Sequence, residues 1–292
     1  MPSLAATVLT GATITTRVRG RLRKRTAVTA DGYVFHYYEG GSGETLVLLH
    51  GLADDKNSFL AAAARLTGRY RVILPDLPGH GENEQDPRRD YSIRGHAAAL
   101  ERLVSELGLD RFHLGGNSMG GHVSGAYTLR HPERVLSLML VNAPGLQLDD
   151  RLIYVGFGAR MKTREDFDAV LDRMYYRKPK LPGFVVRHML HELDSRFDHV
   201  NAMTRAVVAG EDYDISERIG KIHQPTLVLW GRHDVVVPFA VAEAYEARIP
   251  NARLQVLEGA GHVPQLEIAE QVAESIANFL FRLPKYRPRS CP

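Results

Sequence analysis

Five short apolar runs, at residues 45–50, 71–75, 112–115, 135–141 and 226–230, recur along the chain with turn residues at their ends. A strand with one wet face alternates apolar and polar residues. A continuous run suits a strand covered on both faces, as in a sheet built by parallel crossovers. The intervening segments carry helical spacing. Ile93, Ala97, Leu100, Val104 and Leu107 fall on one face behind Ser92, a residue type that caps helix starts, and Ile268, Val272, Ile276 and Phe279 repeat the pattern. Strands alternating with single helices imply an α/β fold, with a mainly parallel sheet and helices on both faces. Ligands in such folds gather at the carboxyl ends of the strands. Asp31-Gly32, between two β-prone runs at 28–38, predicts a hairpin that opens the sheet with an antiparallel pair.

Residues 146–218 break the alternation, with many charges, the pair Tyr175-Tyr176, and prolines at 179 and 182. This stretch reads as a helical cap inserted between two parts of one core, 26–145 and 219–292, with a basic arm at 1–25 before them. Ile153, Val155, Phe157, Met161, Phe184, Val185 and Met189 are its apolar residues, suited either to a hydrocarbon pocket or to packing the cap onto the core.

Composition removes several classes of function. The 37 Lys and Arg against 34 Asp and Glu leave a net charge of +3, too small and dispersed for nucleic acid as the main partner. The single cysteine, Cys291, excludes an intrachain disulfide, a Cys-based zinc site and an iron–sulfur cluster. The apolar stretch at 4–12 is short, interrupted by Thr and Gly, and lacks a basic region before it, so no signal peptide is expected. No window approaches the roughly 20 apolar residues of a membrane-spanning helix. The expected location is cytoplasmic. Arg17, Arg19, Arg21, Arg23, Lys24 and Arg25 form a basic run outside the regular pattern, and Lys285, Arg287 and Arg289 a second cluster. A solvated extension accounts for the first run, and a peripheral contact with anionic lipid is its alternative reading.

The chemistry lies on three turns. Gly116-Asn117-Ser118-Met119-Gly120 follows an apolar run and precedes a helical pattern through Val123, Ala126, Tyr127 and Arg130. Gly-x-Ser-x-Gly in that context is a strained corner that exposes a serine hydroxyl. A hydroxyl attacks only if a base takes its proton, and the base works best when an acid fixes its tautomer. Among 13 histidines, His262 is best placed, on a glycine turn after the run at 254–257 and before the last helix. Asp234, four residues beyond Trp230, is the acid; the turn after Val141 offers Asn142-Ala143-Pro144-Gly145 and no carboxylate. The order serine, acid, histidine is the one such a sheet imposes. A developing oxyanion needs fixed donors, expected from the backbone amides of Met119 and of Leu52 in the loop His50-Gly51-Leu52-Ala53. His50 itself reads as a structural residue that holds this loop.

Together the elbow, Leu48-Leu49-His50-Gly51, Asp76-Leu77-Pro78-Gly79-His80-Gly81, Trp230-Gly231-Arg232-His233-Asp234 and Gly261-His262 resemble the α/β-hydrolase family across residues 28–281. His50-Gly51-Leu52, Met119 and the segment 142–146 resemble its monoacylglycerol lipase and esterase branch most. The resemblance implies an eight-stranded sheet, a helical cap over the site, and ester hydrolysis through an acyl-serine without metal or organic cofactor. The substrate would be a small-molecule or lipid ester, from short- and medium-chain acyl esters to monoacylglycerols. The loop departs from the His-Gly-Gly-Gly form of many esterases, which disfavours bulky tertiary-alcohol esters. The elbow also resembles carbon–carbon bond hydrolases of aromatic ring-fission products, the alternative function. Those typically carry Gly-Pro-Gly in the oxyanion loop and Trp after the histidine, where this chain has Leu52-Ala53-Asp54-Asp55 and Val263. Epoxide hydrolases and haloalkane dehalogenases are disfavoured, because they use Asp where Ser118 stands.

Overall fold

The computed structural model describes residues 12–13, 15–148 and 159–284. Eight strands form one sheet: β1 (Arg23–Val28), β2 (Val34–Gly40), β3 (Thr45–Leu49), β4 (Arg71–Pro75), β5 (Phe112–Asn117), β6 (Val135–Val141), β7 (Thr226–Gly231) and β8 (Ala252–Leu257). Their order across the sheet is β1-β2-β4-β3-β5-β6-β7-β8. Only β2 runs against its neighbours, pairing antiparallel with both β1 and β4; every other pairing is parallel. The expected hairpin is β1–β2, and Gly32 takes the left-handed φ of 79° that its turn requires.

The basic run is corrected: Arg17 and Arg19 lie in a helical segment at 15–19, where the Arg17 guanidinium sits over the Tyr38 ring. Arg23, Lys24 and Arg25 do not stand outside the regular pattern but form the first half of β1, on the sheet edge. Long charged side chains suit an edge strand, because they keep its unpaired backbone hydrated and discourage edge-to-edge association. Lys24 pairs with Glu82 at 2.5 Å and Arg25 with Glu39 at 3.9 Å.

The continuous apolar runs are explained by two buried faces. On β3, Leu46 and Leu48 pack with α1 (Leu60–Leu66) and α8 (Ala269–Phe281), through Ala63, Leu66, Val272 and Ile276. Val47 and Leu49 point the other way, toward Ile93 and Leu100 of α2 (Ile93–Glu106) and Val123 and Tyr127 of α3 (Met119–Arg130). Burying each such side chain contributes about 1.5–3 kcal/mol. Ser92 caps α2, its hydroxyl accepting the Gly95 N–H at 3.0 Å.

Between β6 and β7 lie α4 (Arg164–Met174) and α5 (Gly183–Ala209). Thr163 and Asp166 cap α4 reciprocally, and Pro182 sets the start of α5. Phe167 and Leu171 of α4 join Val186 of α5 in a small apolar cluster of their own. Met203 and Val207, near the end of α5, instead join the main core beside α2 and α3. The helix therefore bridges from the insertion to the core. Ile153, Val155, Phe157, Cys291 and the second basic cluster lie outside the described residues. α6 (Phe239–Arg248) follows β7, and the short α7 (Pro264–Glu267) follows β8 just before α8. No described helix is long and apolar enough to cross a membrane.

Candidate active site

Three turns at the carboxyl ends of β5, β7 and β8 converge on one point. Ser118 joins β5 to α3 in a conformation open to few residues with a Cβ, φ 52° and ψ −124°. That strain is of the order of 1–3 kcal/mol, and tight packing around the corner holds it. A Cβ on Gly116 would lie 2.5 Å from the Gly120 carbonyl carbon, and one on Gly120 would lie 2.3 Å from the Leu49 oxygen. Both glycines are therefore required for the elbow to sit against β3.

His262 Nε2 stands 3.0 Å from the Ser118 hydroxyl, and Nδ1 stands 2.9 Å from Asp234 Oδ2. An ionised carboxylate only accepts, so Nδ1 carries the hydrogen and the Nε2 lone pair faces the serine. Both His262 and Asp234 side chains are 1% exposed. Asp234 Oδ1 also accepts the N–H groups of Val236 and Val237, at 2.8 and 3.0 Å. The imidazole is fixed through its backbone as well: the His262 N–H donates to the Met174 carbonyl at 2.8 Å, and its carbonyl accepts the Asn117 amide at 2.9 Å.

Two parts of this arrangement escaped the sequence reading. Asn142, on the turn set aside for lacking a carboxylate, donates its amide to Asp234 Oδ2 at 2.7 Å, and its carbonyl accepts the Gly231 N–H at 3.2 Å. It takes a left-handed φ of 47°, a conformation asparagine tolerates better than most residues, and nothing in the sequence around it marks the contact. Glu267 is the other. Its carboxylate accepts the N–H of Gly261 at 2.6 Å and those of Tyr176 and Arg177 at 2.8 and 3.1 Å, tying the end of α4 to the histidine turn.

The loop after β3 is held on two sides. His50 Nε2 accepts the Leu77 N–H at 2.9 Å while Nδ1 donates to the Gly51 carbonyl at 2.8 Å, so His50 fastens the loop to the segment after β4. Farther along, the buried Lys56 ammonium pairs with Asp76 at 2.5 Å and Glu82 at 2.8 Å, and its N–H donates to Asp76 at 2.8 Å. Burial opposes ionisation of Glu82, yet Lys24 and Lys56 hold its carboxyl down to about 2. The loop thus brings Gly51 against the elbow, where an added Cβ would lie 3.4 Å from that of Ser118. Leu52 lines the space above the serine, and Met119 is the buried first residue of α3.

That space is a cavity of about 230 Å3, floored by Ser118 and His262. Met161, Phe167, Val170, Met189, Leu193 and Phe197 form its apolar wall, from α4, α5 and the residues before α4. Val185 is buried but does not line it.

A partly exposed serine on a strand-to-helix corner, within reach of a buried histidine and carboxylate on an eight-stranded α/β sheet, defines a hydrolase of the α/β type. The chain belongs to that family: residues 44–268 match the model of the alpha/beta hydrolase fold. It is 30% identical over 278 residues to Lipase 1 of Psychrobacter immobilis, covering 90% of this chain and 86% of that one. It is 31% identical over 265 residues to a 2-hydroxy-6-oxononadienedioate/2-hydroxy-6-oxononatrienedioate hydrolase of Paraburkholderia phymatum, covering 84% and 90%. Among solved structures, a membrane phospholipase A described as a bacterial virulence factor superposes with a TM-score of 0.88 at 29% identity, covering 95% of this chain and 92% of that one.

Proposed function

We propose that this hydrolase cleaves carboxylic esters through an acyl-Ser118 intermediate. The observation that carries the reading is the Ser118–His262–Asp234 relay, at 3.0 and 2.9 Å, opening into an apolar cavity. Ser118 Oγ attacks the ester carbonyl carbon while His262 Nε2 takes its proton, and Asp234 stabilises the imidazolium. The amides of Leu52 and Met119 donate to the oxyanion of the tetrahedral intermediate. As that intermediate collapses, His262 passes the proton to the departing alkoxide. Water then attacks the acyl-enzyme with His262 as base, releasing the acid and restoring Ser118. No step calls for a metal or an organic cofactor.

Carbon–carbon bond cleavage is the second reading, and similarity to the oxononadienedioate hydrolase favours it. A dienedioate brings two carboxylates. Among the described residues lining the cavity there is no Lys or Arg, and one carboxylate outside the relay, Asp54, which would repel such a substrate. An uncharged ester with an apolar acyl chain suits these walls better.

Hydrolysis of p-nitrophenyl esters from short to long acyl chains, with wild type beside Ser118→Ala and His262→Ala, tests the reading. Each substitution is expected to lower kcat by at least about a thousandfold, the scale of losses when such a unit is broken. A loss under about tenfold overturns the assignment of these residues. Wild type that turns over no ester but cleaves a ring-fission product moves the function to the second reading.

A further inference from the structure

Among the described residues that line the cavity above Ser118, one charged group takes no part in the relay. Asp54 lies two residues beyond Leu52, on the turn that leaves β3, and lines the cavity in a partly exposed position. The described lining offers no cation to pair with it. Its Oδ1 accepts the Asp55 N–H at 2.8 Å, and the Ser58 hydroxyl is a second partner. A carboxylate has about four acceptor positions, so some remain for a donor entering the cavity. Desolvation raises its pKa to about 6, with His50 opposing that rise and Asp55 adding to it, as expected of a carboxylate drawn into apolar surroundings.

A carboxylate in such a place is a liability for a pocket that binds only hydrocarbon. It is an asset if the substrate brings a hydroxyl. A saturated acyl chain has no donor and matches the wall of Phe167, Met189, Leu193 and Phe197. The hydroxyl must therefore belong to the alcohol part of the ester. We propose that Asp54 is a specificity-determining residue that accepts a hydrogen bond from a free hydroxyl on that alcohol part, selecting monoesters of polyols, acylglycerols among them, over simple alkyl esters and over esters bearing a carboxylate. This inference rests on the ester-hydrolase reading. Its energetic basis is asymmetric: a site built to meet a hydroxyl discriminates against the analogue lacking one, because the acceptor facing the cavity is then left unmatched.

Three decanoyl esters test it on the full chain: 1-decanoylglycerol, ethyl decanoate and decanoyl glycolate, the last with a carboxylate in its alcohol part. The quantity read is the ratio of kcat/KM between substrates for wild type, Asp54→Leu and Asp54→Asn. Asp54→Leu is expected to lower the glycerol-to-ethyl ratio by about tenfold or more. Asp54→Asn keeps an acceptor oxygen without the charge; it should hold most of that ratio and raise the glycolate-to-ethyl ratio. Ratios within about twofold of wild type in both variants overturn the proposal. So does a parallel decline on all three esters, which would leave Asp54 a loop-forming residue only. Wild type inactive on every ester defeats the ester reading itself, and this inference with it, before any variant is compared.

Discussion

Asn142 shows how much a single side chain can carry without entering the reaction. Its amide faces the same Asp234 oxygen that accepts from His262, and its side-chain carbonyl holds the Gly231 N–H, so one residue fixes both Asp234 and the end of the strand before it. It is fully buried at a φ of 47°. Replacement by alanine would mix backbone strain with loss of the amide; glycine accepts that φ and removes only the side chain. A hydrogen bond to a charged group is worth about 1.5–3 kcal/mol, so Asn142→Gly is expected to lower kcat on a p-nitrophenyl ester by about ten- to a hundredfold, with a smaller change in KM. Asn142→Asp should do worse, because it sets a second carboxylate against Asp234. A kcat within about twofold of wild type in the glycine variant would show that Asp234 is held by the Val236 and Val237 amides alone.

Between elements, the decisive contacts join the insertion to the histidine turn. Met174, the last residue of α4, accepts the His262 N–H, and Glu267 clasps Gly261 on one side and Tyr176 and Arg177 on the other. The end of α4 and the His262 turn are thus joined by one backbone hydrogen bond and by the Glu267 carboxylate. Glu267→Ala leaves three N–H groups without their acceptor. Amide hydrogen exchange over residues 174–177 and 259–263 should accelerate by about tenfold or more, with little change in β5 or β6. Unchanged exchange there would mean that packing, not Glu267, holds the two segments together. This is also where sequence reasoning reached its limit. Strands β3 to β7 were legible because double-sided burial leaves an unbroken apolar run, and the elbow because close backbone approach at Gly116 and Gly120 forces glycine. Ser118, His262 and Asp234 could be read from their places after strands. Glu267 looked like any carboxylate near a helix, since two of its three partners lie 90 and 91 residues away in the chain and nothing local marks them. The basic run misled for a related reason: Arg23, Lys24 and Arg25 become strand only because β2 supplies the pairing.

The whole molecule carries a pH dependence set by histidines buried away from the reaction. On α2, His96 has both ring nitrogens buried without a hydrogen-bond partner, and burial pushes its pKa down to about 3, with nearby His50 adding to the shift. Burial likewise lowers His122, on α3, to about 4 against its bond to the Asp212 carbonyl, and takes His80 well below the ordinary 6.5. A histidine with a depressed folded-state pKa contributes its full stability above the unfolded value. That stability is lost as pH falls from about 6.5 toward the folded pKa, because the unfolded chain binds protons that the folded chain refuses. Each such group gives a slope of about 1.4 kcal/mol per pH unit across its window. Asp54 acts in the opposite sense: its raised folded pKa of about 6 lets the native state take a proton before the unfolded chain does, which offsets about one histidine between pH 6 and 4. The protein should therefore be most stable above pH 6.5 and lose stability steadily on acidification, well before carboxylates such as Glu82 are protonated at about 2. Urea unfolding of wild type and His96→Leu at pH 7.5, 6.0 and 5.0 separates this from general acid destabilisation. The leucine variant changes packing at every pH, so the comparison is between slopes rather than absolute stabilities. Its loss between pH 6.0 and 5.0 should be smaller than that of wild type by about 1 kcal/mol, one histidine's share. Parallel slopes would mean that His96 takes up no more protons on unfolding than it holds in the native state, and the acid sensitivity would then have to arise elsewhere.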